Sequence, residues 1–394
     1  ITDAKTFVVA NPPPSFGGRY WVFLKLVTDS GIVGYGEAYS LPFHPVVVAG
    51  MIEDVCARHV INADPFRIEQ LWRVIFSAGY SQRSGTALMG VLSAIEMACW
   101  DIVGKELDRP IYDLLGGRVR ERIRSYTYLY PKEGDTRDVY TDPDLAAERA
   151  AEYVARGFTA VKFDPVGPYT AYDPRQLSRA MLSRSEAFVR KIREAVGDQA
   201  DIIFGTHGQM TAAGAIRLAR TLEPYDPLWF EEPVPPENED EMAKVARAIS
   251  IPVAAGERLA SKYEFQRLLR CGAAAILQIN LGRVGGILEA KKIAGMAEAS
   301  YLQIAPHLYC GPIVGAAAIQ IGTCSPNLLI QEGILDWGGF HAELLRQPVN
   351  WEEGYILPPA GPGLGVELDE AVAEAHPYTG TELHLTTGEQ EPEV

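Results

Sequence analysis

The chain has 394 residues, 47% of them hydrophobic and 22% charged, with a formal net charge of -15. This is globular composition with ample material for a core, and the length suits two domains or one large barrel with an appendage. The acidic balance argues against a broad basic face, so no nucleic-acid partner is expected. An acidic protein that takes an acidic substrate needs a local cation in its site, which directs attention to metal ligands.

The five cysteines (Cys56, Cys99, Cys271, Cys310, Cys324) are odd in number and form no C-x-x-C pair. A disulfide scaffold or zinc ribbon is therefore not expected, and a reducing cytoplasm is the default location. No apolar run approaches the roughly 20 residues of a membrane span, and the N-terminus lacks a signal pattern. No membrane partner is expected.

In chain order, 20–27 alternates as a strand, Asp29-Ser30-Gly31 is a turn, and 32–37 is the return strand. Helical patterns follow over 45–62, 65–76 and 86–104. The last is apolar nearly all round, as for a helix buried between two domains. From about Arg124 short apolar strands alternate with helices. The strands read as 125–129, 160–163, 202–204, 228–230, 253–255, 275–278, 303–305 and 328–331, and helical patterns between them include 145–155, 185–195, 212–221 and 284–299. Strand–helix alternation implies a parallel sheet, and about eight units over roughly 220 residues match a (β/α)8-type TIM barrel. The expected division is an N-terminal α+β capping domain over 1–123, a barrel over 124–340, and a C-terminal segment over 341–394 that completes the cap. The last dozen or so residues, acidic and polar, are expected to fray.

Active sites of such barrels lie at the C-terminal strand ends. Those ends carry Lys162-Phe163-Asp164, Gly205-Thr206-His207, Glu231-Glu232-Pro233, Gly256-Glu257-Arg258, Gln278-Ile279-Asn280, Pro306-His307 and Gln331-Glu332. Several carboxylates at one rim repel each other unless a cation neutralises them, and oxygen ligands favour Mg²⁺ over zinc.

The Trp229-Phe230-Glu231-Glu232-Pro233, Gly256-Glu257 and Arg283-Val284-Gly285-Gly286 stretches, set in this rhythm, resemble the mandelate racemase/muconate lactonizing enzyme subgroup of the enolase superfamily. The early strands and Ala98-Cys99-Trp100-Asp101-Ile102-Val103-Gly104-Lys105 resemble its capping domain. The resemblance implies Mg²⁺ held by Glu231 and Glu257, with the ion stabilising an enediolate formed by loss of the proton next to a carboxylate. It also implies an acid/base role for His307, a proton-donating role for His207, and enediolate stabilisation by Lys162 and Glu332. His207 and His307 together resemble the acid-sugar dehydratase branch. Glu232 is the expected structural member of its pair. Phe16 and Arg19 fall where the family has a substrate-covering loop, and His44 lies in a loop within reach of the substrate, so weak substrate contacts are expected at all three. A homo-oligomer is implied by resemblance alone.

Three positions depart from the family pattern. Gly205 stands where the third-strand metal ligand, an aspartate, is usual. Asp164 and His207 are the candidate replacements, with water as the alternative, and Asp164 is favoured because Mg²⁺ prefers oxygen. Asp164 also replaces the second lysine of the strand-two pair. Asn280 stands where an aspartate usually pairs with the strand-seven histidine; it can set a tautomer but not raise basicity as a carboxylate does. The leading expectation is β-elimination of water from a sugar acid. A cycloisomerase or racemase of a sugar acid or anhydro sugar acid is the alternative, and a barrel that only binds a ligand is the alternative of another class.

Overall fold

The computed structural model describes residues 1–39 and 42–389. The chain opens with an antiparallel sheet of β1 (Asp3–Ala10), β2 (Tyr20–Val27) and β3 (Val33–Ala38), in that order. Three helices follow: α1 (Pro45–Val55), extended by a π-helical turn at Cys56–Val60, α2 (Ile68–Ser77) and α3 (Thr86–Glu106). The short α4 (Ile111–Leu114) leads into the barrel. Strand β1 was not legible beforehand, because only its second half alternates between buried and half-exposed positions.

The α3 helix is long and apolar enough by composition to cross a membrane, contrary to the expectation that no such run exists, yet most of it is buried inside the protein. It packs mainly on β3. Its apolar circumference is explained by having protein on every side.

The barrel strands are β4 (Ile123–Tyr128), β5 (Ala160–Phe163), β6 (Asp201–Gly205), β7 (Trp229–Glu231), β8 (Val253–Ala255), β9 (Ile276–Leu277), β10 (Gln303–Ile304) and β11 (Gln331–Gly333). They run parallel in that order, β11 pairs back on β4, and the Ile304–Leu328 bridge joins the last two. Seven helices link them: α5 (Pro143–Ala155), α6 (Arg179–Val196), α7 (Ala212–Leu222), α8 (Glu239–Ala248), α9 (Lys262–Cys271), α10 (Ile287–Ala299) and α11 (Pro312–Cys324). The helix that follows β11 directly is the four-residue α12 (Phe340–Glu343). A hairpin of β12 (Asn350–Glu352) and β13 (Tyr355–Leu357) then adds antiparallel to the start of β4.

The C-terminal α13 (Glu370–Ala375) packs on β1, and Tyr378 donates its amide to Val8. The tail does not fray as expected. His384 is only 4% exposed, and Gly388 forms a parallel bridge with Thr170. The rest of the expected fraying segment, 390–394, lies outside the described residues.

Two buried carboxylates join cap to barrel, and a third ties in the C-terminal segment. Glu37 on β3 accepts from the amides of Gly311 (2.6 Å) and Val314 (2.9 Å) at the start of α11. Glu96 on α3 accepts from those of Ile287 (2.6 Å) and Leu288 (2.8 Å) at the start of α10. Each supplies acceptors that a helix N-terminus lacks internally, and negative charge is favoured there. Asp101 binds the amides of Tyr35 and Leu364 and the Lys105 ammonium, tying in the C-terminal segment.

Glu96→Ala leaves two buried amides without an acceptor, and is expected to cost about 2–4 kcal/mol in urea unfolding. Truncation of exposed Glu133 serves as the control; an equal, small loss in both variants would refute the capping role.

Candidate active site

One side chain from each strand region fills the barrel interior: Tyr126, Ala160, Ile203, Trp229, Ala254, Ile276, Ala305 and Ile330. The two large rings, Tyr126 and Trp229, meet edge to face with centroids 5.4 Å apart, and the smaller side chains complete the layer. Strand side chains repeat direction every second residue. Moving two residues along from each interior position therefore gives the next inward layer: Tyr128, Lys162, Gly205, Glu231, Gly256, Gln278, His307 and Glu332. An apolar floor thus lies beneath a rim rich in charge.

Lys162 is central to that rim. Its ammonium lies 2.6 Å from Glu231 Oε1 and 3.3 Å from Glu332 Oε1. Burial opposes its charge, but the two glutamates outweigh burial and hold it protonated well above the usual range. The second Glu231 oxygen accepts from Trp229 Nε1 at 3.0 Å. Glu332 Oε2 accepts the Leu308 amide at 2.8 Å. Burial pushes the Glu231 and Glu332 carboxyls above the ordinary carboxylate range, and Lys162 is the main group pulling each back. Glu232 is paired off instead with Arg258, at 2.6 Å, as expected of a structural partner.

The same lysine accounts for Gly205. A β-carbon there would stand 2.5 Å from Lys162 Cε. The space that a ligand side chain would need is already filled, so the third strand offers its next group at His207.

His207, Glu231 and Glu257 present ligand atoms that all lie within 4.8 Å of one another. Asp164, favoured from sequence as the third ligand, is not in this group. The reason is local: β5 ends at Phe163, so alternation no longer governs the next residue. Asp164 instead turns back, accepting from the Val166 amide at 3.0 Å and facing His207 Nδ1 at 3.2 Å. The arrangement fits a divalent cation. Two buried carboxylates and an imidazole converge, and the buried Glu257 Oε2 has no hydrogen-bond partner of its own.

The two histidines are wired in opposite senses. Asp164 accepts only, so in the neutral ring His207 Nδ1 carries the hydrogen and Nε2 keeps its lone pair. Burial lowers the basicity of His207, but the Asp164 hydrogen bond and the Glu257 charge prevail and raise it above the ordinary value. His307 Nδ1 faces Asn280 Nδ2 at 2.8 Å. The asparagine cannot be turned around, because its Oδ1 accepts the Gly282 amide at 2.9 Å. His307 Nδ1 is therefore an acceptor, and the neutral ring carries its hydrogen on Nε2. That Nε2 lies 3.4 Å from Glu257 Oε2 and 4.0 Å from Glu332 Oε2. Burial, against the pull of Glu257, pushes His307 down to about 4, so it stays neutral near pH 7.

Above the rim is a cavity of about 440 Å³, lined by Lys162, Asp164, His207, Glu257, His307 and Glu332 below. Its walls include Tyr39, Tyr128, Tyr130, Tyr140, Tyr169 and Tyr309, and its roof includes Leu385 and Thr386. None of these wall and roof residues was named from sequence. Tyr128 was accessible to the alternation argument as the inward residue ending the first barrel strand; the tail residues carried no signal. The weak substrate contacts expected at Phe16, Arg19 and His44 are not found on the wall. Phe16 stacks on Tyr130 with centroids 4.2 Å apart. Arg19 pairs with Glu382 at 2.5 Å, and His44 Nε2 lies 3.0 Å from the Gly380 carbonyl. Arg19 and His44 thus hold the tail.

Comparison with known proteins agrees with the geometry. Residues 145–372 match the enolase C-terminal domain-like family, and residues 7–116 match the mandelate racemase/muconate lactonizing enzyme N-terminal domain. A relative from Ralstonia nicotianae, named D-galactonate dehydratase, is 39% identical over 361 residues, spanning 89% of this chain and 90% of its own. A crystal structure from Labrenzia alexandrii DFL-11 is 60% identical with a TM-score of 0.98, covering 100% of this chain and 99% of that one. The crystal structure of a mandelate racemase/muconate lactonizing enzyme from Sulfitobacter sp is 52% identical with a TM-score of 0.97, covering 100% and 99%. The chain belongs to the enolase superfamily, in its mandelate racemase/muconate lactonizing enzyme group.

A divalent cation at the Glu231–Glu257 pair should stabilise the fold, by about 2.7 kcal/mol at a hundredfold excess over Kd. Titrating Mg²⁺ or Mn²⁺ during thermal unfolding should raise Tm for the wild type and not for Glu257→Gln. An equal rise in both would remove Glu257 from the ligand set.

Proposed function

We propose that the protein is a Mg²⁺-dependent sugar-acid dehydratase, in which His207 moves the proton and His307 serves as a neutral hydrogen-bond donor. The observation that carries the reading is the pair of opposite histidine tautomers, set by Asp164 on one side and by Asn280 on the other. The D-galactonate dehydratase name of the Ralstonia relative supports a sugar acid as substrate.

Glu231 and Glu257 are the residues that would hold the ion. Bound there, Mg²⁺ supplies positive charge to the substrate carboxylate and to the oxygens that become negative when the α-proton leaves. The lone pair on His207 Nε2 accepts the α-proton, and Asp164 stabilises the resulting imidazolium through Nδ1–H. The electrons left on the α-carbon form the enediolate. Lys162 Nζ and His307 Nε2–H stand on the rim to donate hydrogen bonds to its oxygens. Glu332, which burial biases toward its protonated form, adds a third donor there. Collapse of the enediolate expels the β-hydroxyl, which takes the proton from His207 and departs as water. The enol tautomerises to a 2-keto-3-deoxy acid.

This assignment differs from two histidines that share the work as base and acid. A neutral imidazole with its hydrogen on Nε2 has no lone pair there to act as base. As an acid it would have to become imidazolate, which is too costly near neutral pH. His307 therefore fits an electrophilic role, as a neutral histidine that polarises oxygen.

A second reading is favoured by the cluster geometry: His207 Nε2 could be the third metal ligand, with Asp164 as the carboxylate that orients a ligating histidine. His207→Asn separates the two. Retained metal-induced stabilisation with lost turnover supports the base; loss of metal affinity supports the ligand.

Wild-type protein with Mg²⁺ and a panel of aldonates and aldarates should release a 2-keto-3-deoxy acid from at least one of them, scored by semicarbazide trapping. Exchange of the α-proton with D₂O, or an isomeric product, without water loss would assign the cycloisomerase or racemase course instead. No reaction on any acid would support a binding barrel.

Asn280→Asp is the sharpest test of the tautomer. Aspartate would draw the hydrogen to His307 Nδ1 and remove the Nε2–H donor, so kcat should fall about 10²-fold with little change in KM. Equal or higher kcat in that variant would make His307 the base.

A further inference from the structure

We propose that the C-terminal tail is a strap fixed across the barrel mouth, and that Leu385 and Thr386 select the substrate by contacting the end of the sugar acid remote from its carboxylate. This rests on the sugar-acid reading above for the identity of the substrate, but the strap itself stands on separate observations.

The tail is held on both sides of the cavity. On the capping-domain side, His44 Nε2 lies 3.0 Å from the Gly380 carbonyl, and Arg19 pairs with Glu382. The His384 amide donates to Tyr20 Oη at 3.1 Å. The His384 ring is buried edge-on against Tyr20, Tyr39 and Tyr309, with centroids 5.2 to 5.8 Å away. Its socket is shaped by Gly18, where φ is +104° and any β-carbon would fall 1.9 Å from the imidazole. On the barrel side, Gly388 accepts the Ala171 amide at 2.9 Å and donates its own to Tyr169 at 3.2 Å. Those partners lie in the connection between β5 and α6, which begins at Asp164.

Leu385 and Thr386 span the gap between the two anchors and line the cavity. The groups of the proposed chemistry (Lys162, His207, Glu257, His307) stand at the barrel strand ends and line the same cavity as the two tail residues. A sugar acid whose carboxylate is held at the rim therefore extends its distal carbons and hydroxyls toward the tail. One apolar and one hydroxylated side chain there can discriminate chain length and distal hydroxyl configuration without touching the reacting atoms. Differential contact with a remote part of a substrate is an ordinary source of specificity.

Thr386→Val and Leu385→Ala test the contact, with KM and kcat measured over acids of five and six carbons beside Tm. Thr386→Val should raise KM roughly tenfold for acids with a distal hydroxyl and leave kcat and Tm near wild type. Leu385→Ala should change the ranking of acids by length. KM values and ranking within about twofold of wild type in both variants would overturn the selection role. If the wild type turns over no sugar acid, the functional reading fails on its own, and the strap is decided by hydrogen exchange. The amides of His384 and Gly388 should exchange slowly in the wild type and fast in His384→Ala. Fast exchange in the wild type would overturn the strap.

Discussion

Carboxylates buried at the barrel rim must be balanced by positive charge, and the rest of the site follows from how that is done. Glu231, Glu257 and Glu332 are each buried, and burying a carboxylate without a partner costs several kcal/mol. Arg258 is committed to Glu232, so Lys162 alone bridges Glu231 and Glu332. As placed here, the lysine lies across the third strand at Gly205, where a β-carbon would stand 2.5 Å from its Cε. Glu257 keeps an oxygen with no hydrogen-bond partner, which is the place where a cation does the most.

The histidines illustrate how one atom in a neighbouring side chain redirects chemistry. An aspartate opposite a histidine draws the imidazole hydrogen to itself and frees the far nitrogen as a base. An asparagine whose oxygen is already engaged by a backbone amide does the reverse. Relative to the family pattern, the aspartate has disappeared from beside His307, and one now stands beside His207. On the proposed reading the role of base goes with it to His207, while Glu231 and Glu257 remain the carboxylates that would hold an ion.

The cap and barrel are joined by the same economy of charge. Glu37 and Glu96 each end on the open amides of a barrel helix, so carboxyl oxygens of one unit satisfy backbone groups of the other. The cavity lies at this junction, and the tail runs over it. Loops that resemble substrate covers by sequence position are engaged with the tail instead. Covering the site is shared among three parts of one chain.

The sequence by itself determined the architecture and most of the charged rim. Alternating strand and helix patterns give a parallel barrel, and a period of two places Lys162, Glu231, His307 and Glu332 inward. Strand boundaries were legible to within a few residues because they depend on local pattern. Only the tertiary structure decided what Asp164 touches, since the strand stops one residue earlier and the side chain direction passes from alternation to a turn. It alone decided the orientation of Asn280, which depends on an amide two residues on, in a loop. It alone placed the tail, whose polar composition reads as a frayed end; its burial comes from a histidine socket and a backbone bridge built by residues hundreds of positions away, which no local pattern encodes.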